Sequence, residues 1–275
     1  MKRSTKKAFT LVELLVVIAI IAMLLSILVP ALQRARGLTK RLVCLSNLRQ
    51  LSVTAQIYTN NYNGYFPFAQ ETRNTGGNYI INCWDFMDPK LGVGKPGLLW
   101  QSDSIAKIQQ CPDFKGPANW IGDPYTGYNY NASYIGGSVA TFNISTSSSA
   151  TGSASGTATR PPLPVGNREI LVRSSRITEI RHPAATAIFG DGQWSGGANK
   201  FMRSPSAGTL DDGQSGRWAG TQGFRHLGQT NVAYCDGSAH SQKERYTQTE
   251  DPAEARNIAP LTGFLSPDNS AYDLE

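Results

Sequence analysis

The sequence predicts an α+β protein in which a long N-terminal helix, about half of it transmembrane, packs on an antiparallel β-sheet with large loops. Three observations predict this fold class. An apolar run opens the chain, apolar residues then recur at helical spacing to about residue 64, and short β-type runs with frequent turns fill the remainder. The 27 glycines and 15 prolines suit strands and turns better than a helical bundle.

The first element is an apolar span over 9–32 that contains a single carboxylate, Glu13. Its length is about the 20 residues that a bilayer requires. A central acid costs roughly 2.5–3.5 kcal/mol on insertion scales, and less near a helix end, so Glu13 is either tolerated or has a partner. The residues alone allow a cleaved secretory signal ending near Ala31 or a plain signal anchor, because basic residues flank both ends of the span.

The second element is an amphipathic helical stem over 33–64. Apolar residues follow one another there in steps of three and four, at Leu38, Leu42, Leu45, Leu48, Leu51, Ala55, Tyr58 and Tyr62. This spacing is typical of a helix that packs on something. Pro30 is expected to kink the continuous helix or to interrupt its hydrogen bonds, and Gly64 is expected to cap its end.

The third element is a globular β-rich domain over 65–275. Its candidate strands are Tyr128–Ile135, Glu169–Val172, Ala185–Phe189, Asn231–Cys235 and Ser238–Gln242. Asp236-Gly237 is expected to join the last two strands through a type I′ turn, because Asp-Gly tolerates positive φ. Residues 141–167 are rich in Ser, Thr and Gly, and they predict a mobile surface loop.

Charge and cysteine usage exclude some classes of function. The formal net charge is +6, but Lys2, Arg3, Lys6 and Lys7 contribute four of those charges, so little favours a nucleic-acid partner. Cys44, Cys83, Cys111 and Cys235 contain no CxxC pair, which argues against a zinc knuckle or a thioredoxin-type centre. Outside the cytoplasm one or two disulfides become plausible. Among the three pairings that the sequence leaves open, Cys44 with Cys111 is preferred, since it would pin the stem to the body.

The sequence contains few groups that suit catalysis, and it predicts no enzyme and no cofactor. It has three histidines (His182, His226 and His240) and neither a GxSxG nor an HExxH motif. His226 with Asp191 and Asp236 is a weak candidate for a divalent cation site. Calcium, however, prefers six or more oxygens, and no run of alternating acids is present. A structural hydrogen-bonding role for these residues is therefore preferred.

The run from Lys6 to Glu13, KKAFTLVE, resembles the type IV prepilin leader, which pilins share with type II secretion pseudopilins. In that family a short basic leader is cut before a Phe that becomes N-methylated, and a Glu occupies the fifth mature position. The resemblance implies a leader over 1–8, a cut between Ala8 and Phe9 by a prepilin peptidase and N-methyltransferase, and Glu13 as the conserved acid. Ala8 departs from the usual Gly, whereas Pro30 falls where the family places a helix-bending Pro.

A second resemblance lies near the C-terminus. His226, nine intervening residues and then Asp236-Gly237 are similar to the H-x9-DG element of a prepilin-associated family found in planctomycete-type bacteria, which pairs this element with the leader. In physical terms, His226 is expected to hydrogen-bond to backbone or to a carboxylate across the hairpin that Asp236-Gly237 closes.

These resemblances imply a structural subunit that other pilin-like subunits and an inner-membrane assembly machinery build into a type IV pilus or a type II secretion pseudopilus. Glu13 would pair with the new amine of Phe9 on a neighbouring subunit. The chain would cross the lipid of the inner membrane once and hold its C-terminal domain in the periplasm or outside the cell. The alternative is a membrane-anchored extracytoplasmic glycan-binding module that does not polymerise, with tryptophans as sugar-stacking faces.

Overall fold

The computed structural model describes residues 10–75, 78–86, 97–100, 108–118, 125–143, 167–171, 174–208, 210–211 and 220–275. The predicted leader, with Ala8 and Phe9 at its cut, lies outside the described residues. So do residues 144–166, which make up most of the predicted Ser/Thr/Gly-rich loop.

A single long helix, α1, runs over Leu11–Asn61 and confirms the predicted N-terminal helix. Its apolar N-terminal part is long enough and apolar enough to cross a membrane, and none of its most apolar stretch is covered by the rest of the chain. The helix continues through Pro30 without interruption. Because proline has no amide hydrogen, Pro30 cannot donate to the carbonyl of Ser26, and a kink at Pro30 stays a prediction.

The helix ends at Asn61, slightly before the predicted end at residue 64. Asn63 has a φ of +53°, and the amide of Gly64 donates to the carbonyl of Thr59 at 2.8 Å. This 6→1 bond is the closing contact of a Schellman-type cap, and both Asn63 and Gly64 have positive φ, the latter +83°. Gly64 thus takes part in the cap, as predicted. Asparagine tolerates positive φ because its short polar side chain can hydrogen-bond locally.

The helix buries one stripe against the body, and its apolar members are Cys44, Leu48, Leu51 and Ala55. The predicted packing face of the stem is therefore confirmed in its middle. At its two ends the prediction is wrong, since Leu38, Leu42 and Tyr62 are exposed. The body begins to touch the stem near Gly37, but it fully buries stem side chains only from Cys44 onward. The buried stripe includes polar residues that hydrogen-bond across the interface. Ser52, for example, donates to the carbonyl of Tyr234 at 2.7 Å.

The sheet against which α1 packs has five strands in the order β10-β9-β6-β3-β7. They are β3 (Asn129–Asn131), β6 (Ala187–Gly190), β7 (Phe201–Met202), β9 (Thr230–Tyr234) and β10 (Ala239–Gln242). All neighbouring pairs are antiparallel except β3 with β7. An aromatic cluster packs on this sheet at Phe189 of β6, and the ring centroids of Trp84 and Phe189 are 5.2 Å apart.

A second sheet has four strands in the order β2-β1-β4-β5. They are β1 (Gln70–Thr75), β2 (Asn78–Cys83), β4 (Ser138–Asn143) and β5 (Asn167–Leu171), and β1 pairs with β4 in parallel. The short strands β8 (Gln222–Gly223) and β11 (Thr262–Gly263) pair with each other, and α2 is a single turn over Pro252–Ala255. The predicted α+β class is confirmed, with mixed sheets in place of purely antiparallel ones.

Two predicted segments need correction. The strand expected over Tyr128–Ile135 stops at Asn131, and a π-helical turn follows over Ala132–Gly136. The side chain of Asn131 caps this turn by accepting from the amide of Tyr134 at 3.1 Å. The loop expected over 141–167 is drawn too wide, because Thr141–Asn143 still pair in β4 and Asn167 already belongs to β5.

The hairpin predicted at Asp236-Gly237 is confirmed between β9 and β10, but its turn type is wrong. The amide of Gly237 donates to the carbonyl of Tyr234 at 3.1 Å, and the amide of Tyr234 donates to the carbonyl of Ser238 at 2.9 Å. Gly237 has a φ of +89°, whereas Asp236 is not among the described residues with positive φ. The connection is thus a type I turn followed by a left-handed glycine, and not a type I′ turn.

Candidate functional site

The N-terminus of α1 holds Glu13 in a capping box with Thr10. The amide of Glu13 donates to Oγ1 of Thr10 at 3.2 Å, and the amide of Thr10 donates to Oε2 of Glu13 at 2.8 Å. The Thr10 hydroxyl also donates to that carboxylate oxygen at 2.8 Å. Glu13 therefore completes the helix end within its own chain. The spacing T-x-x-E from Thr10 to Glu13 is the sequence signal for this role, which was missed among the predictions above.

The apolar surface that follows Glu13 is uncovered. Every large apolar side chain from Leu11 to Leu32 is exposed, between 46% at Val17 and 80% at Leu11. A continuous surface of this kind is stable only against lipid or against other apolar helices. The apolar part of α1 is therefore suited to a membrane or to a bundle of like helices.

A second constellation lies inside the body, where four side chains from distant parts of the chain meet. Cys44 comes from α1, Cys111 from the segment 108–118, Asp191 from the end of β6 and His226 from a turn after β8. Their donor atoms all lie within 4.8 Å of one another, and all four residues are buried. We refer to Cys44, Cys111, Asp191 and His226 as the buried cluster.

Four distances define the buried cluster. The sulfurs of Cys44 and Cys111 are 3.4 Å apart. The sulfur of Cys44 lies 3.0 Å from Oδ1 of Asp191, and the sulfur of Cys111 lies 3.7 Å from Nε2 of His226. Nε2 of His226 is 3.3 Å from Oδ2 of Asp191. Two sulfurs, one imidazole nitrogen and one carboxylate therefore converge on a common point.

Local backbone geometry places Asp191 in the cluster. A Cβ atom at Gly190 would collide with the side chain of Gln222, and one at Gly192 would collide with the carbonyl of Asn199. The two glycines thus let the chain pass through a tightly packed region with Asp191 between them. Oδ2 of Asp191 accepts from the amide of Asn231 at 2.7 Å, which fixes the carboxylate relative to β9.

A tight turn places His226. The amide of His226 donates to the carbonyl of Gln229 at 3.0 Å, and the amide of Gln229 returns a bond of 3.1 Å to His226. The central residues Leu227 and Gly228 have φ values of +55° and +80°. Positive φ at both positions is the type I′ pattern, so the turn type predicted at Asp236-Gly237 is found here.

Arg225 brings a cation to the cluster. Its Nη2 lies 3.1 Å from Oδ1 of Asp191, and its Nε donates to the sulfur of Cys111 at 3.3 Å. Nη2 also donates to the carbonyl of Gly127. Gly127 has a φ of +98°, and a Cβ atom there would lie 2.6 Å from Cβ of Cys111. Only glycine therefore permits this approach.

Nδ1, the ring nitrogen of His226 that faces away from the cluster, lies near an ion pair between Asp113 and Lys40. Nδ1 of His226 is 3.5 Å from Oδ2 of Asp113, whose Oδ1 pairs with Lys40 of α1 at 2.9 Å. Arg41 of α1 donates to the side chain of Gln229 at 2.8 Å. The stem helix is thus bound to the body around the cluster by several polar contacts.

The cluster perturbs the pKa values of its members. The hydrogen bond from Cys44 lowers the pKa of Cys111 to about 5 against the opposing effect of burial, and the charge of Arg225 assists. Burial raises the pKa of Cys44 well above its ordinary value. Burial opposes the charged form of His226, but its bonds to Asp191 and Cys111 raise its pKa to about 9. Burial likewise opposes the ionised form of Asp191, yet Arg225 and His226 hold its pKa below the usual range.

The fold brings the predicted site residues only partly together. Asp191 and His226 meet, but Asp236 is exposed on the β9–β10 turn and accepts from the amide of Ser238 at 2.8 Å. His226 faces a carboxylate, as expected, but that carboxylate belongs to the end of β6 and not to the hairpin. Cys44 and Cys111 are neighbours and free thiols, with a sulfur separation longer than the about 2.0 Å of a disulfide. The disulfide stays a prediction.

Comparison with protein families found one match. The family model for the prokaryotic N-terminal methylation motif matches residues 3–29. This match supports a prepilin-type substrate and agrees with the resemblance carried by residues 6–13. Neither the comparison with curated proteins nor that with solved structures found a match. The similarity of His226 and Asp236-Gly237 to an H-x9-DG element stays a prediction.

Proposed function

We propose that this protein is a structural pilin or pseudopilin subunit, cut between Ala8 and Phe9 by a prepilin peptidase and assembled into a type IV pilus or a type II secretion pseudopilus. The observation that carries the proposal is the uncovered apolar half of α1, which begins with a single carboxylate at Glu13. The methylation motif over residues 3–29 supports the same function.

Glu13 has hydrogen-bond partners within its own chain but no countercharge among them. Both bonds from Thr10 go to Oε2 of the carboxylate, and they leave its negative charge uncompensated. In apolar surroundings such a charge is costly, and an opposite charge from elsewhere is favoured. After the proposed cut, the amine of Phe9 on a neighbouring subunit supplies that charge and sets the register between helices.

The exposed apolar surface continues beyond the membrane span into the stem. Leu42, Val43, Val53 and Ile57 are between 41% and 60% exposed on α1. They lie outside the stripe that the body buries, and they therefore offer a surface to the helix of a neighbouring subunit. The subunit would cross the inner membrane once, with the body in the periplasm or outside the cell.

The capping box allows an experiment that separates the charge of Glu13 from its hydrogen bonds. Glu13→Gln keeps a side chain that can complete the box, but it removes the charge. Thr10→Ala removes the box and keeps the charge, and Glu13→Ala removes both. Subunit cross-linking in membranes and recovery of sheared filaments measure assembly, while resistance to alkaline extraction measures membrane insertion.

We expect Glu13→Gln and Glu13→Ala to insert normally and to lose most assembly, whereas Thr10→Ala assembles. If Glu13→Gln assembles like the wild type and Thr10→Ala does not, Glu13 acts as a helix cap and the proposed pairing is wrong. Assembly by all three variants would contradict any role of this helix end.

Glycan binding, the alternative function, gains no support from the tryptophans that the structure describes. Trp84 and Trp100 are buried in the core at 1% and 5% exposure, and Trp194 is half-buried. A sugar-stacking face needs an exposed ring. Trp120 and Trp218 lie outside the described residues.

A further inference from the structure

We propose that the buried cluster is a metal site, in which Cys44, Cys111, Asp191 and His226 bind a zinc ion that fastens the stem helix to the body. The proposal goes beyond the assembly function and does not depend on it.

The spacing of the donor atoms fits four-coordinate zinc. Bonds of about 2.3 Å to sulfur and about 2.0–2.2 Å to nitrogen and oxygen in a tetrahedron place neighbouring donors about 3.3–3.8 Å apart. The structure gives 3.4 Å between the sulfurs and 3.7 Å from the sulfur of Cys111 to Nε2 of His226. Of the Asp191 oxygens, Oδ2 lies 3.3 Å from Nε2 and Oδ1 lies 3.0 Å from the sulfur of Cys44, so either can serve as the single oxygen donor. Small shifts of side chains would therefore complete the tetrahedron.

The chemistry of the donors selects the ion. Two thiolates and an imidazole are ligands for zinc and similar borderline metals, whereas calcium and magnesium prefer oxygen. Because all four residues are buried, the site has the closed form of a structural zinc centre and not the open form of a catalytic one.

The charges also balance. Two thiolates, a carboxylate and a neutral imidazole carry three negative charges, and Zn²⁺ together with the guanidinium of Arg225 supplies three positive ones. Arg225 is placed for this role, since it touches both the sulfur of Cys111 and Oδ1 of Asp191. A neutral total matters because uncompensated charge inside a protein is costly.

The surroundings of His226 match those of a metal-binding histidine. Its Nε2 faces the cluster, while its Nδ1 lies 3.5 Å from the carboxylate of Asp113. No hydrogen bond joins the two groups at this distance, but a small shift of the carboxylate toward Nδ1 would form the contact that fixes the tautomer and the ring orientation of a ligating histidine. Asp113 is in turn held by Lys40, so the outer contact also reaches the stem.

A disulfide between Cys44 and Cys111 accounts for less of the structure. It would require the sulfurs to approach by more than about 1 Å, and it would use neither Asp191 nor His226. A metal ion uses all four side chains and gives Arg225 a function.

The test is metal analysis of the full-length chain, extracted from membranes in detergent without chelators. We expect about one zinc per chain in the wild type. Cys44→Ser, Cys111→Ser and His226→Gln should each lose at least about nine-tenths of it. Cys235→Ser is the matched control, because Cys235 is also a buried free thiol but lies outside the cluster. Asp113→Asn should keep the stoichiometry and weaken the affinity about 10–100-fold.

A second measurement needs no variant. After a chelator removes the zinc, cobalt should restore occupancy of the wild type and produce sulfur-to-cobalt charge-transfer absorption with the ligand-field bands of a tetrahedral site. A folded wild type that contains no zinc and takes up neither metal overturns the proposal. So does zinc retained at full stoichiometry in both cysteine variants. A wild-type mass lower by two hydrogens, assigned to a Cys44–Cys111 peptide, shows the disulfide instead. Each result is obtained on isolated subunits, so failure of filament assembly does not affect it.

Discussion

Lys200 and Asp85 form an ion pair in the interior of the body, where each side chain is only 2% exposed. The ammonium group of Lys200 also donates to the carbonyl of Tyr125 at 2.9 Å and lies 4.8 Å from the ring centroid of Phe86. Through its backbone carbonyl, Lys200 accepts from the indole of Trp84 at 3.0 Å. The pair therefore joins the aromatic core to the segment that leads into β7.

The first prediction concerns this pair. Lys200→Met should lower the free energy of unfolding by about 3–5 kcal/mol, because it removes the cation that pairs with the buried carboxylate of Asp85. The double variant Asp85→Asn/Lys200→Met should recover part of the loss, since it removes both charges. Denaturant unfolding in detergent measures the effect, with the exposed Lys243 changed to Met as control. A loss below about 1 kcal/mol for Lys200→Met would place the pair among weak surface bridges.

The second prediction compares two glycines in the left-handed region. Gly228 and Gly237 have φ values of +80° and +89°. Alanine at either position should cost about 1–2 kcal/mol of unfolding free energy, because an L side chain is strained there. A Cβ atom at Gly228 meets nothing within 4 Å, whereas one at Gly237 lies 3.3 Å from Nε2 of Gln56.

Gly237→Ala should therefore cost more than Gly228→Ala, because Gln56 holds the hairpin to α1 through a 2.8 Å bond to the carbonyl of Cys235. The matched pair of variants isolates that contact from the backbone strain. Equal losses of stability for the two would show that Gln56 moves aside without cost.

The third prediction concerns Leu227, a non-glycine residue with a φ of +55° that packs over Gly37 of α1. Gly37→Ala should gain little alone, because its Cβ atom would lie 3.1 Å from Cδ2 of Leu227. In a Leu227→Asn background the side chain is shorter and suits a type I′ turn, so Gly37→Ala should stabilise by up to about 1 kcal/mol through helix propensity. A double-mutant cycle measured by thermal unfolding should show this coupling. Additive effects would mean that the two residues do not restrain each other.

The sequence predicted the elements whose signals are local. The apolar residues around Leu48 and Leu51 repeat along one helix face, and Asp236-Gly237 marks a hairpin between adjacent strands. Each signal is formed by residues that are close in the sequence, so each element could be predicted. The turn types could not be assigned in the same way. The type I′ turn is found at Leu227-Gly228, where Leu227 packs over Gly37 of α1. Leucine is not a typical turn residue, so the sequence does not indicate a turn that this packing determines.

The buried cluster could be predicted only in part, because its residues are far apart in the chain. Cys44 and Asp191 are 147 positions apart, and no motif links them. The predicted set of His226, Asp191 and Asp236 contains two members of the cluster and one residue, Asp236, that lies outside it. The pairing of β6 with β9 decides otherwise, since it places the end of β6 at Val232 and thereby brings Asp191 to His226. The absence of a CxxC pair excludes a local zinc knuckle and says nothing about ligands that the fold assembles.

The last prediction concerns maturation, which determines whether the apolar helix is an assembly element or a signal. We expect membrane-extracted protein to begin at Phe9 with a methylated amine, and Ala8→Gly, which restores the usual family residue, to be processed at least as completely. Cutting at that point removes the basic leader and leaves the whole apolar part of α1 attached to the body, as an uncovered membrane helix requires. Intact-mass measurement distinguishes the outcomes. Retention of residues 1–8 would indicate a plain anchor. A chain that begins after Ala31 would indicate a cleaved secretory signal, since that cut removes Glu13 together with the apolar N-terminal part of α1.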